Sequence, residues 1–255
     1  MSSALGKVHL QKLEHPDLSL QYSRMNQRRS RQVHRFLSEL QKEAKNGLPF
    51  ANVKPELFIL TRRDWRSVVA SPYGISSSKV TKHQGKIFAS VDYPQRLLHQ
   101  FDTVFLEASF KPPGDLNELL DLMLGFEWAY CLLRLQKLST NHASLNALLT
   151  AYLYLICLEK ADFHGVRDRL NLWTKAELEP PKNIKACLQT ARSQKAITER
   201  YRLWCFCIQF LKNTIFDFEL FEALDKLKKH RSYDFTEADV LKSYLPKYTT
   251  FTEQD

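Results

Sequence analysis

The fold of this chain turns on residues 120–135, LDLMLGFEWAYCLLRL. Between Asp121 and Arg134 every residue is apolar or weakly polar except Glu127. With Leu116 and Leu119 ahead of them, Leu120, Met123 and Leu124 cover nearly the whole circumference of a helix, the pattern of one buried on most sides. Burying an unpartnered carboxylate costs on the order of several kcal/mol, or raises its pKa until it is neutral. Glu127 therefore needs an ion-pair partner, a cleft, or a proton. It is either paired with an arginine inside a helical lobe or it is a cleft residue fitted for acid–base chemistry.

Around this helix, expected over 115–138 with Asp115 as N-cap, the chain changes character. Upstream, residues 55–61 (PELFILT) form a short apolar run behind a proline and predict a strand. Residues 86–93 (KIFASVDY) alternate and predict a second strand. Residues 62–71 read as a short helix, residues 72–86 as a loop rich in turn formers, and LLHQFDTVFLEA (97–108) as helical. The KPPGD break (111–115) closes this part. Downstream only helical patterns follow: 144–160 with Ser144 as cap, 163–178, a weaker pattern over 184–194, then 196–214, 218–230 and 236–245. The expected fold is α+β: a small N-terminal sheet lobe (1–110) followed by a larger all-helical lobe (111–255) that begins with the Glu127 helix.

Ahead of the sheet lies another helix, expected over 23–47, with Ser23 and Gly47 as its caps. Val33, Phe36, Leu37, Leu40 and Ala44 mark its buried face. Arg24, Arg28, Arg31 and Arg35 repeat on another face. Like charges at that spacing repel slightly. They form either an anion-binding stripe or a solvated face.

The chain has 255 residues, 44% of them hydrophobic and only 7 glycines, which suffices for a proper core and excludes collagen-like or low-complexity classes. Its net charge of +9 permits contact with nucleic acid, an anionic membrane or an acidic partner without naming one. The 5 cysteines, an odd number lying within apolar helical patterns, suit reduced thiols in a cytoplasmic protein. The Cys205–Cys207 pair has neither zinc-ribbon nor redox spacing. Residues 1–18 contain no apolar core of signal-peptide length, and the longest apolar run, 145–158, is short of the roughly 20 residues of a membrane span. The 8 histidines show no ligand spacing. Glu159, Asp162 and His164 lie close together, in a segment that reads as a capped junction between two helices. Neither a P-loop, a dinucleotide fingerprint, a nucleophile elbow nor a nucleic-acid module appears.

The stretch GFEWAYCLL (125–133) resembles the active-site helix of the gluzincin metallopeptidases, in which an H-E-x-x-H motif places two zinc-binding histidines on one helix face and a general-base glutamate beside the first. In that resemblance Phe126 and Tyr130 occupy the histidine positions and Glu127 the glutamate. The order of elements, a small sheet before the helix and helices after it, is similar to that of zincins. GKIFASVDYP (85–94) resembles their edge strand beside the cleft, and residues 199–224 resemble their aromatic-rich helix pair, with Tyr201 where some keep an oxyanion-stabilising tyrosine. The chain departs from the motif at both histidines. The third-ligand helix, SLNALLTAYLYL, carries Ala147, Thr150 or Ala151 where an acid is expected. The resemblance, over 55–227, thus implies a zincin-like fold without metal or cofactor: a pseudo-peptidase binding a peptide or protein in a cleft lined by Phe126, Glu127, Tyr130 and Tyr201, with Glu127 vestigial. The competing expectation is a basic module that holds an anionic partner such as nucleic acid through Arg24, Arg28, Arg31 and Arg35. A metal-independent hydrolase based on Glu127 ranks behind both, since a general base alone supplies only part of a mechanism.

Overall fold

The structure, a computed structural model, describes residues 9–48, 53–61, 64, 86–90, 96–99, 102–105, 116–136, 138, 143–168, 170, 207–208, 211 and 218–229. It is mixed α+β. Six strands form one sheet whose spatial order follows the chain: β1 (Leu10–His15), β2 (Leu18–Ser23), β3 (Glu56–Leu60), β4 (Lys86–Ser90), β5 (Arg96–His99) and β6 (Asp102–Phe105). β2, β3 and β4 run parallel; the pairs β1–β2, β4–β5 and β5–β6 are antiparallel. Helix α1 (Gln27–Gly47), entered through a 3-10 turn at Arg24–Asn26, connects β2 to β3. From residue 116 onward the described residues form helices only: α2 (Leu116–Leu135), α3 (Ala143–Lys160), a helical stretch over 164–168 and α4 (Glu219–Lys229).

Local chemistry accounts for most of this. Leu57, Phe58, Ile59 and Leu60 are all buried, as expected of a parallel strand covered on both faces. β2 is similar: Leu18, Leu20 and Tyr22 fill one face, and Ser19 and Ser23 are buried on the other. Ser23 Oγ donates to the Asp64 carboxylate and accepts the Thr61 N–H at 3.0 Å, so the ends of β2 and β3 are tied together.

Several expectations need correction. Residues 97–99 and 102–105 are not helical; they belong to the antiparallel strands β5 and β6, in which His99 pairs with Asp102. The spacing of Leu97, Leu98, Phe101 and Phe105 fits a helix, but cross-strand pairing of Leu97 with Val104 and of Leu98 with Thr103 overrides it, with β-branched residues on one strand. Ser23 makes no capping hydrogen bond, because its hydroxyl is engaged by Asp64 and Thr61. Ser144 lies inside α3, which begins at Ala143. β4 is not an edge strand: the β5–β6 hairpin pairs onto it, so it has neighbours on both sides. β1 and β2 are additions to the expected elements, although LSLQYS alternates cleanly. The helices expected over 62–71, 184–194 and 236–245, and the loop over 72–85, lie outside the described residues, apart from Asp64, which is helical.

The chain divides into two compact units. The first comprises residues 1–43 and 52–136: the sheet, most of α1, and α2, which packs against β4 and β5. The second comprises 44–51 and 137–255. At its centre is α3, where every residue from Ala147 to Leu158 is buried. Tyr152 meets Phe221 of α4 edge to face, with ring centroids 5.8 Å apart. Leu170, Cys207, Ile208 and Leu211 are buried in the same unit.

Candidate functional site

Helix α2 is the element on which the sequence places its site. Residues 124–129 and 131–133 are buried, Glu127 among them with no exposed surface. Phe126 is buried as well, and Tyr130 is half-buried. Phe126 and Tyr130, four residues apart, occupy one side of α2 as the two ligand positions of the resemblance require. Their chemistry does not. Phe126 has no donor atom. The Tyr130 hydroxyl accepts a hydrogen bond from Arg134 Nη1 at 3.0 Å, and the same guanidinium lies 5.6 Å from the ring centroid. The residues at these positions do not fit zinc, and no step of zinc chemistry can be routed through them. Among the described residues no three His, Cys, Asp or Glu side chains cluster as a metal site.

Beside Glu127 the helix is anchored to α1. Trp128, wholly buried, donates its indole N–H to Gln41 Oε1 of α1 at 2.8 Å, while Gln41 Nε2 donates to the Val53 carbonyl at 3.4 Å. One turn beyond Glu127, Cys131 is buried; desolvation first, and the Glu127 charge second, hold its thiol far above the usual range, with Arg134 opposing. Cys131 is therefore a packing thiol and not a nucleophile. Cys157 and Cys207 are buried thiols too; Cys187 and Cys205 lie outside the described residues.

Gln41 is the site residue that sequence reasoning missed. It occupies the i+4 position after Leu37 and i+8 after Val33, inside the apolar stripe, so the helical row itself marks it as buried. A buried side-chain amide at such a place needs partners, and Trp128 and Val53 supply them.

On α3, Ala147, Thr150 and Ala151 are buried, and Thr150 Oγ1 donates to the Asn146 carbonyl one turn back at 2.6 Å, a bond within its own helix. Tyr201 lies outside the described residues. At the junction after α3, His164 pairs with Asp162 at 2.6 Å and Arg167 with Glu159 at 2.7 Å, all on exposed or half-exposed side chains. These are ties across a helix–turn–helix corner, in keeping with the junction read from the sequence. No helix of the described residues is long and apolar enough to cross a membrane.

Arg24, Arg28, Arg31 and Arg35 are all exposed. Among the described residues none of the four has an acidic partner within ion-pair distance. No protein-family model matches the chain, and comparison with curated proteins and with solved structures gives no match.

Proposed function

We propose that this chain is a zincin-like protein that has lost its metal site and works by binding a peptide or protein instead of cutting one. The observation that carries the reading is Glu127: a carboxylate with no exposed surface, inside an apolar helix that packs against the sheet. A carboxylate so placed is costly unless it is paired, hydrogen-bonded or protonated, and buried acids held in that way concentrate at functional sites. Its neighbours support loss of catalysis. A general base needs an electrophile or a metal-bound water to act on, and phenylalanine and an arginine-bound tyrosine supply neither. Phe126, Glu127 and Tyr130 are the residues of α2 that this reading assigns to the former site, and of these three Tyr130 alone reaches the surface.

The test is metal content together with activity. The full chain is incubated with equimolar zinc, desalted and analysed for metal, then assayed on fluorescence-quenched casein with and without a chelator. The expected outcome is no retained zinc and no chelator-sensitive cleavage, with retained binding of casein-derived peptides. One zinc per chain with cleavage abolished by the chelator overturns the proposal, as does absence of any peptide binding.

A further inference from the structure

We propose that the outer face of α1 and the turn before it is a binding surface for the phosphate backbone of nucleic acid, with Arg24, Arg28, Arg31 and Arg35 as its contacts. This inference is independent of the reading of α2.

Its basis is an arrangement that the helix itself does not favour. Residues 24–38 contain 5 arginines and no acid. The first turn of α1 carries no acidic residue. The positive end of the helix dipole lies at that terminus, where cations are unfavourable. Arg24 and Arg28, Arg28 and Arg31, and Arg31 and Arg35 stand at spacings at which like charges repel. Asp64 is the acid bonded near the start of the helix, and its carboxylate is taken by Ser23. The first acid within α1 is Glu39, one turn past Arg35, so Arg24, Arg28 and Arg31 have no acid at helical spacing within their own helix. Their charge is turned outward.

Geometry narrows the partner. At 100° per residue the four arginines fall within roughly 60° of arc, opposite Val33, Leu37 and Ala44, and span roughly 16 Å along the axis. The helix is fixed by that opposite face, since Val33, Leu37, Leu40 and Ala44 are buried. A rigid row of guanidinium groups at near-regular steps suits a polymer of regularly spaced phosphates, each of which accepts a bidentate pair from arginine. An anionic membrane is disfavoured, because an interfacial helix must have an apolar face to insert and that of α1 is already used in the core. Met25 is the sole exposed large apolar side chain among the described residues, too little for insertion. Phosphate contacts alone carry no sequence information, so binding is expected to be indifferent to sequence.

Fluorescence anisotropy of a labelled mixed-sequence DNA duplex, titrated with the full chain at several NaCl concentrations, tests this. Four phosphate contacts give a log–log salt slope of about −3.6, or roughly a hundredfold loss of affinity from 50 to 200 mM salt. Each Arg→Gln substitution at the four positions lowers the slope by about 1. Lys54→Gln, on an exposed lysine off α1 whose ammonium already pairs with Glu14, leaves it unchanged. The four Arg→Lys substitutions together keep the slope but weaken binding, which separates charge from folding. Absence of binding at low salt, a slope unaffected by the quadruple Arg→Gln change, or binding to phosphatidylserine vesicles in preference to the duplex overturns the proposal.

Discussion

Among the polar residues of α1, Ser30 is buried and its hydroxyl has no hydrogen-bond partner among the described residues. Ser30→Ala removes an unmet polar group and improves helix propensity, so it is expected to stabilise the protein by about 1 kcal/mol in urea denaturation. His34, one turn on, is half-buried, and its ring meets that of His15 edge to face at 6.2 Å. Burial, and then the charge of His15, lower its pKa below 6.5, with Glu14 opposing. The folded state thus favours neutral His34. Its contribution to stability is complete above pH 6.5 and is lost as pH falls below that value toward the folded pKa. Denaturation midpoints measured between pH 7.5 and pH 5 should fall, and His34→Gln should flatten part of that fall. His15 faces the same ring and uses Nδ1 to accept the Asp17 N–H at 3.3 Å, which makes a His15→Gln control necessary.

The elements differ in how openly the sequence declares them. α2 and α3 are legible because long apolar runs have few other uses in a chain of this kind. The β5–β6 hairpin is not: its leucines and phenylalanines satisfy a helical and a strand period alike, and pairing with β4 decides between them. Glu127 is legible as an odd charge, whereas its burial beside Trp128 and the Trp128–Gln41 bond depend on α1 meeting α2, which no local pattern encodes. Helix ends give two sharper tests. Gly47, the last residue of α1, reads in the sequence as a cap for its conformational freedom, yet the need here is space: a Cβ at this position would overlap the Phe218 ring. Gly47→Ala is expected to cost about 1–3 kcal/mol, partly recovered by Phe218→Leu. α3 ends differently. Asp162 has φ 58°, and the Phe163 N–H returns to the Leu158 carbonyl at 2.9 Å, a Schellman closure with a non-glycine residue at its left-handed position. Asp162→Gly should raise stability by up to about 1 kcal/mol, since the exposed pair with His164 that it removes is worth little.

At the scale of the whole molecule, the two compact units do not correspond to two contiguous lengths of chain. Residues 44–51, which include Gly47 and the buried Leu48, belong with 137–255, although the rest of α1 belongs with the sheet. A fragment cut at 136/137 therefore separates Phe218 from Gly47. Residues 137–255 expressed alone should lack a cooperative thermal transition, and a tandem fusion that restores 44–51 to them should regain it.

The same division sets a schedule for synthesis. Gly47 leaves the ribosome roughly 170 residues before Phe218, a delay of about 10–30 s at ordinary elongation rates. Throughout that interval the last turn of α1 has been made but the aromatic wall it fits has not. Nascent chains stalled before residue 218 should expose the Leu48 side of this turn to chaperones and proteases, and those stalled well after residue 229 should shield it.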